Sequence, residues 1–151
     1  MPEIKLCAFA DESGAEAEVQ IENMLKNGVY AVEMRSCDAI NVGAFTDEKA
    51  AEVYEKFSAA GIEVWSIGSP LGKISIDSPF NEHFELLARL VRTAKIMHSD
   101  KIRMFSYFVK RGDYAAKRDE VLLRIKKMCD YAEKEGVMLC HENESEIFGA
   151  T

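Results

Sequence analysis

The sequence lacks the long apolar run that a membrane helix needs. No stretch of its 151 residues approaches the roughly 20 consecutive apolar residues required to cross a bilayer. The start of the chain, Met-Pro-Glu-Ile-Lys, does not lead into the apolar core of a secretory signal peptide. We therefore expect a cytoplasmic protein without a membrane partner.

Positive charge is also scarce in this chain. It has 19 Lys and Arg residues against 26 Asp and Glu residues, which gives a formal net charge of -7. Proteins that bind nucleic acids hold phosphates with clustered Lys and Arg side chains. We therefore expect no nucleic-acid partner.

The four cysteines form no Cys-x-x-Cys pair, which argues against a zinc knuckle. They are Cys7, Cys37, Cys129 and Cys140. Two of them fall inside predicted strands, where a free thiol behaves as a small apolar side chain. We expect all four to be reduced, without a disulfide framework.

The sequence does contain a regular alternation of short apolar runs and longer helical patterns. The apolar runs predict five strands, at residues 4–9, 29–34, 62–67, 101–105 and 137–141. The helical patterns predict four helices, at residues 15–26, 47–60, 79–98 and 114–135. Gly28, Gly61 and Gly136 each separate a helix from the next strand, as a left-handed glycine at a helix end does. This order is typical of a parallel sheet.

Two parallel architectures fit the predicted elements. A doubly wound sheet accommodates about five strands in 151 residues, whereas a closed barrel needs eight strands and about 250 residues. Length alone favours the doubly wound sheet. However, neither a Gly-x-Gly-x-x-Gly motif nor a Walker loop follows the first strand, so the usual nucleotide ligands of that fold are not expected.

Polar side chains recur just beyond the carboxyl end of each predicted strand, where active sites form in parallel α/β folds. Because side chains alternate along a strand, Glu33 and Arg35 share one face and Val32 and Met34 the other. Such charges would point away from the helices and into a barrel lumen, which favours the barrel. The strand-end residues are Asp11, Glu12, Ser13, Glu33, Arg35, Ser69, Lys73, Arg103, Ser106 and residues 141–144.

Five stretches in order resemble the sugar phosphate isomerase/epimerase family, the xylose isomerase-like TIM barrels. The most specific is residues 139–149, Leu-Cys-His-Glu-Asn-Glu-Ser-Glu-Ile-Phe-Gly, which resembles the fifth strand of that family and the segment that follows it. The resemblance implies a parallel (β/α) barrel of TIM type. Residues 1–151 would form one partial domain, strands 1 to 5 with helices 1 to 4, without the C-terminal strands. The other stretches are residues 10–13, 32–35, 68–74 and 102–106.

The same resemblance implies a metal-dependent isomerase or epimerase of a sugar, polyol or sugar phosphate. In that family a strand-end Glu binds a divalent metal, which makes Glu142 the expected metal ligand and a catalytic residue. Glu33 is the second expected catalytic carboxylate. The metal would be Mn²⁺, Mg²⁺, Co²⁺ or Zn²⁺ in the full-length form, with further ligands on strands six to eight. A solvated acidic loop is the alternative interpretation of Glu142.

Four further residues are candidates for binding a small-molecule carbohydrate. Lys73 follows a glycine in a Ser-Pro-x-Gly-Lys loop and suits a phosphate or carboxylate, although an exposed turn explains it equally well. Arg35 and Arg103 could grip an anionic group. Arg103 could equally form a buried ion pair with Glu33. Glu12 either contacts the substrate or starts the first helix.

Two other functions remain open at this point. The chain could be a non-catalytic half-barrel that exposes strand edges and associates with itself, as a homodimer. Alternatively, it could be related to the endonuclease IV type of DNA repair enzyme, which shares the barrel fold. The acidic balance of the sequence weighs against that DNA-binding function.

Overall fold

The centre of the structure is a parallel sheet of four strands. In the computed structural model, which describes residues 4–150, the strands are β1 (Ala31–Met34), β2 (Ser36–Cys37), β3 (Ile40–Asn41), β4 (Glu63–Ile67), β5 (Lys101–Met104) and β6 (Met138–His141). The parallel sheet has the order β1-β4-β5-β6, while β2 and β3 form a separate antiparallel hairpin. Parallel strands thus neighbour one another in the order of the chain.

Four helices pack in one layer, and the last three of them connect the parallel strands. The four helices are α1 (Ala17–Lys26), α2 (Asp47–Ala59), α3 (Phe80–Ile96) and α4 (Tyr114–Lys134). Each helix contacts the next along the chain, and α2, α3 and α4 also contact the sheet. Within residues 4–150, no helix is both long and apolar enough to cross a membrane.

The hydrophobic core lies between this helix layer and one face of the sheet. Helix α3 contributes Leu87, Leu90, Val91 and Ala94, whose spacing of three and four residues places them on one side of the helix, fully or almost fully buried. The sheet contributes residues such as Ile102, which is fully buried. Burial of each large apolar side chain contributes about 2 kcal/mol, so this face anchors the fold.

A doubly wound sheet would carry helices on both faces, whereas here the second face of the sheet is open. Charged and polar side chains of β1, β4, β5 and β6 line that open face. One layer of helices outside a parallel sheet in chain order is the arrangement of a (β/α) barrel wall. The structure therefore confirms the barrel prediction, with the four helices and the last four strands near their predicted positions.

The predicted first strand at residues 4–9 is the main correction. Only Ala8 bridges to Val32 there: the Ala8 amide donates to the Ala31 carbonyl at 3.1 Å, and the Glu33 amide donates to the Ala8 carbonyl at 3.0 Å. Ile4 and Leu6 remain 84% and 62% exposed. Without burial of these side chains, little apolar surface is available to fix a longer ladder.

The β2–β3 hairpin was not predicted from the sequence. Its turn residues Asp38 and Ala39 have positive φ angles of 52° and 59°, the backbone of a tight hairpin turn. The dipeptide Asp-Ala lacks the glycine that usually marks such a turn. Asp38 is fixed by its side chain, which accepts from the Ala17 amide at 2.9 Å and from Lys49 Nζ at 2.6 Å.

Candidate active site

Three charged side chains from separate strands meet on the open face of the sheet. Arg103 of β5 lies between Glu33 of β1 and Glu142, which directly follows β6. Arg103 Nη1 is 2.9 Å from Glu142 Oε2, and Arg103 Nε is 3.4 Å from Glu33 Oε1. Arg103 therefore pairs with both carboxylates, and not with Glu33 alone. We refer to these three residues as the lumen triad.

Neighbouring groups hold the lumen triad in place. Ser66 Oγ donates to Glu33 Oε2 at 2.9 Å, and Arg103 Nη2 donates to the Gly68 carbonyl at 3.2 Å. The Arg103 guanidinium also lies 5.0 Å from the centroid of the Phe105 ring. Glu33 and Arg103 are thus each held by a second contact besides their ion pair.

The lumen triad retains polar atoms without a hydrogen bond. Glu33 Oε1, Arg103 Nε and Glu142 Oε2 are buried and lack a hydrogen-bond partner among the described residues. Each of these atoms belongs to an ion pair of Arg103, but the angles between donor and acceptor do not meet the geometry of a hydrogen bond. Because these are the atoms of the Arg103 ion pairs, a ligand that reaches either oxygen would compete with Arg103.

A cavity of about 450 Å³ lies in front of the triad. Its size is suitable for a small ligand. A larger groove of about 630 Å³ lies between α3 and α4 on the outer side of the helices, away from the triad. The charges single out the inner cavity, which is lined by Phe9, Glu33, Trp65, Ser66, Lys101, Arg103, Cys140, His141, Glu142 and Asn143.

Ser66 enters this cavity because of an irregularity in the sheet. Val32 pairs with Val64, but Glu33 pairs with Ser66, so one extra residue of β4 is inserted between them. This β-bulge breaks the strict alternation of side chains, and both Trp65 and Ser66 line the cavity. Strand parity alone would have assigned Ser66 to the helix side, and no local sequence signal marks the bulge.

Arg35 and Glu12 form a second ionic cluster beside the triad. Arg35 Nε lies 2.8 Å from Asp11 Oδ2, and Arg35 Nη2 lies 3.2 Å from Glu12 Oε1. The hydrogen bond to Asp11 raises the pKa of Arg35 above its ordinary value. The guanidinium groups of Arg35 and Arg103 lie 4.9 Å and 5.5 Å from the centroid of the Phe9 ring, so this ring connects the two clusters. Neither Phe9 nor Asp11 was singled out as a site residue from the sequence.

Lys73 extends over the ring of Phe105. Its Nζ atom is 4.4 Å from the ring centroid and 2.8 Å from Glu144 Oε2. Lys73 thus shares Phe105 with Arg103 but pairs with a different carboxylate. It is part of the mouth of the site and does not contact the lumen triad through an ion pair.

His141 lines the same cavity as Glu142 but is hydrogen-bonded to the segment that follows β5. Its Nε2 atom is 3.0 Å from Ser106 Oγ, which also accepts from the Gly149 amide at 2.8 Å. A Cβ atom at Gly149 would lie 2.6 Å from the imidazole. His141 therefore fastens the segment after β6 to the end of β5.

The described residues do not form a complete metal site by themselves. In the range 4–150, no three His, Cys, Asp or Glu side chains converge in a way that could hold an ion. Burial raises the pKa of the Cys140 thiol, which favours its protonated form. Glu142 offers one carboxylate, and its Oε2 atom lies 2.9 Å from Arg103 Nη1.

Helices on one face of a parallel sheet, and charges at the carboxyl ends of its strands, define the chain as part of a (β/α) barrel. Residues 21–150 match the family described as xylose isomerase-like TIM barrel, and the chain belongs to that family. The sequence resemblance is therefore confirmed. A search of the curated proteins gave no significant sequence match.

Solved structures share the fold at low sequence identity. The chain is similar to the probable 3-DHS dehydratase AsbF of Bacillus anthracis, with 19% identity and a TM-score of 0.75 over 97% of this chain and 54% of that one. It is also similar to D-psicose 3-epimerase with D-tagatose from Clostridium cellulolyticum H10, with 16% identity and a TM-score of 0.68 over 91% and 52%.

A third similar structure is a xylose isomerase-like TIM barrel protein from Mycobacterium smegmatis in complex with magnesium. It has 17% identity and a TM-score of 0.66, over 91% of this chain and 50% of that one. The chain thus spans about half the length of the solved structures that it matches. At these identities the likeness establishes the fold.

Proposed function

We propose that this chain forms the N-terminal portion of a metal-dependent isomerase or epimerase that acts on a sugar, polyol or sugar phosphate. The observation that carries the proposal is the lumen triad, in which two carboxylates share one arginine beside a cavity of about 450 Å³. Similar structures include an epimerase with D-tagatose and a barrel protein with magnesium, which is consistent with this chemistry.

Glu142 would hold a divalent metal, Mn²⁺, Mg²⁺, Co²⁺ or Zn²⁺, together with ligands outside the described residues. Hard cations prefer carboxylate oxygen, and Glu142 follows a strand whose backbone is held by its neighbour β5. When bound, the metal would polarise a sugar carbonyl or hydroxyl. Arg103 keeps Glu142 oriented by an ion pair at 2.9 Å.

Glu33 is the residue that we assign to proton transfer, together with Glu142. A carboxylate can remove a proton from the carbon next to a carbonyl and return it to the same or the neighbouring carbon. Ser66 donates to Oε2 of Glu33, while Oε1 is buried 3.4 Å from Arg103 Nε. A substrate would therefore reach Oε1 by taking the place of Arg103.

The substrate would contact the basic groups around Phe9 and Phe105. Arg103, Arg35 and Lys73 offer donors to hydroxyl or anionic oxygens, and Glu12 offers an acceptor to a hydroxyl. Each cation is now neutralised by a carboxylate of the chain. An anionic substrate group would exchange with these carboxylates.

The decisive test is metal binding by the intact protein and by its Glu142→Gln variant. Titration with Mn²⁺, followed by electron paramagnetic resonance, should show affinity that falls at least about 100-fold in the variant, because an amide oxygen carries no charge for the ion. Glu133→Gln, on the exposed side of α4, is the matched control and should bind normally. Unchanged affinity in the Glu142 variant would overturn the metal assignment.

A second readout addresses the reaction itself. Ketoses incubated with the metal-loaded protein in D₂O should gain deuterium on the carbon next to the carbonyl. Glu33→Gln should abolish this incorporation while it leaves Mn²⁺ binding in place, because Glu33 is assigned to the proton and not to the metal. Exchange at the rate of the parent protein in that variant would remove Glu33 from the mechanism.

A second candidate function, a half-barrel that associates with itself, is favoured by one observation. Met138 is 62% exposed on β6, the strand at the end of the described sheet. Amides of Met138 and Glu142 bond back to β5, which directs the backbone groups of the intervening Leu139 and His141 toward the outer edge. An edge strand beside exposed apolar surface promotes pairing with another chain.

Self-association is measured directly by size-exclusion chromatography with light scattering. If a half-barrel dimer is the functional form, this chain should elute as a dimer, and Met138→Glu should convert it to a monomer. Leu123→Glu, an exposed apolar residue on α4, is the control and should not change the mass. A monomer at all concentrations would exclude this candidate.

A further inference from the structure

A buried histidine supports the loop that carries Lys73. His83 belongs to α3, is 4% exposed, and its Nε2 atom accepts a hydrogen bond from the Gly72 amide at 3.0 Å. An imidazole nitrogen can accept only when it carries no proton, so the His83 ring is neutral with its proton on Nδ1. This histidine is not explained by the proposed chemistry of the lumen triad.

The Gly72 peptide is confined on its other side by the end of β5. Gly72 has a φ of 87°, and a Cβ atom there would lie 1.9 Å from the Phe105 carbonyl oxygen. The Phe105 amide donates to the Leu71 carbonyl at 2.7 Å, and the Tyr107 amide donates to the Gly72 carbonyl at 3.0 Å. Both backbone polar groups of Gly72 are therefore fixed, the amide by His83 and the carbonyl by the Tyr107 amide.

Tyr107 connects the same histidine to the opposite side of the loop. It is fully buried and has a φ of 74°, which is uncommon for a residue other than glycine and persists only where the surroundings enforce it. Its ring centroid lies 5.4 Å from that of His83. His83 thus packs against Tyr107 and bonds to Gly72, the two residues that define the loop backbone.

Lys73 is the first residue beyond this fixed peptide. Its backbone amide donates to the Pro70 carbonyl at 2.9 Å, and its Nζ atom reaches the Phe105 ring and Glu144. The position of the ammonium group at the mouth of the site therefore depends on where the Gly72 peptide is held. Removal of the His83 acceptor would leave a buried amide without a partner and favour another loop conformation.

We propose that His83 is a positioning residue that holds Lys73 in place to bind an oxyanion of the substrate. The neutral imidazole of His83 accepts the hydrogen bond of the Gly72 amide and so fixes the loop. The loop in turn places the Lys73 ammonium over the Phe105 ring. The proposal rests on the proposed function for the identity of the ligand, but the coupling between His83 and Lys73 is a property of this chain alone.

The test compares His83→Leu with His83→Gln. Glutamine offers a carbonyl oxygen to the Gly72 amide, whereas leucine has a similar size and no acceptor. We expect Lys73 in the leucine variant to react about fivefold faster with an amine-acylating reagent, as measured by mass spectrometry, because it leaves its fixed position. The glutamine variant should react at the parent rate, and the exposed Lys26 serves as an internal reference in each sample.

Leu87→Ala separates positioning from general loss of stability. Leu87 is fully buried in the same helix, one turn beyond His83, so its truncation destabilises the fold without a change at Gly72. Equal acceleration of Lys73 labelling in this control, or equal labelling in the leucine and glutamine variants, would overturn the proposal. If His83→Leu does not fold, His83→Asn replaces it, because its amide is too short to reach Gly72.

The Lys73 labelling experiments need neither a substrate nor a metal. Loss of metal binding in the Glu142 variant tests the proposed function, whereas Lys73 labelling tests the coupling to His83. A chain that shows the coupling but no metal binding would refute only the proposed function. A chain that binds metal but labels Lys73 identically in every His83 variant would refute only this inference.

Discussion

The two faces of the central sheet are built from alternate residues of the same strands, yet they differ in every property. The face toward the helices carries Val32, Ile102 and Met104, all apolar and at most 2% exposed. The open face carries Glu33 and Arg103, which are charged and retain atoms without hydrogen bonds. One face stabilises the fold, and the other is arranged for chemistry, so substitutions on the two faces should have separable effects.

The largest expected effect is on the helix-facing side. Ile102→Ala should lower the free energy of unfolding by about 4 kcal/mol, because it removes buried apolar atoms and leaves a cavity. Urea unfolding followed by circular dichroism measures this change. Cys140→Ala, on the open face of the neighbouring strand, should cost less than about 1 kcal/mol. Equal losses in the two variants would break the comparison between the faces.

The next largest effect should be a pH dependence of the free energy of unfolding, caused by His83 in the helix layer. Burial, with a smaller contribution from the positive charge of Arg124, lowers the pKa of His83 from 6.5 to about 4. Between these values the unfolded chain binds a proton at this residue and the folded chain does not. The free energy of unfolding should therefore fall by about 3 kcal/mol as the pH decreases from 6.5 to 4.

Urea unfolding at several pH values checks this expectation. In His83→Gln the contribution of this residue is absent, so the decline in stability toward pH 4 should be shallower than in the parent protein. Parallel curves for the two proteins would show that His83 is not the group responsible. The exposed Lys and Glu residues are the same in both proteins. Their titration should therefore not contribute to the difference in pH dependence between the parent protein and His83→Gln.

The smallest effect should arise on the open face. Ser66→Ala removes the hydrogen bond to Glu33 Oε2 and should lower the free energy of unfolding by about 1 kcal/mol. Because Glu33 then lacks the hydrogen bond that positions it, the rate of deuterium exchange into a ketose should also decline, by more than the loss of folded protein explains. Ser145→Ala, at an exposed position, is the control and should change neither quantity. A loss of stability without a loss of exchange would make Ser66 purely structural.

The repeating elements could be predicted from the sequence because their signals are local. Helical periodicity and terminal glycines such as Gly61 and Gly136 located the helices, with ends that differ from the structure by only one or two residues. Alternation along strands placed Glu33, Arg103 and Glu142 on a common face, and the structure brings them into contact. Their catalytic and metal-binding roles stay predictions.

What could not be predicted depends on contacts between distant parts of the chain. The insertion of Trp65 into the register of β4 is invisible in the sequence, and it decides that Ser66 reaches Glu33. The ring of Phe9 lies beside both Arg35 and Arg103, which are 68 positions apart in the chain. Likewise, the apolar run at residues 4–9 predicts a strand, although only one residue of it pairs.

The bulge in β4 also has a consequence for protein engineering. Along β5, adjacent side chains alternate between the core and the cavity, so randomisation of neighbouring positions there would change both the folding and the specificity of the protein. At positions 65 and 66 the chain offers two consecutive side chains to one cavity while Val64 and Ile67 stay in the core. A combinatorial library confined to this dipeptide would therefore explore the shape and polarity of the binding cavity with most of its members still folded.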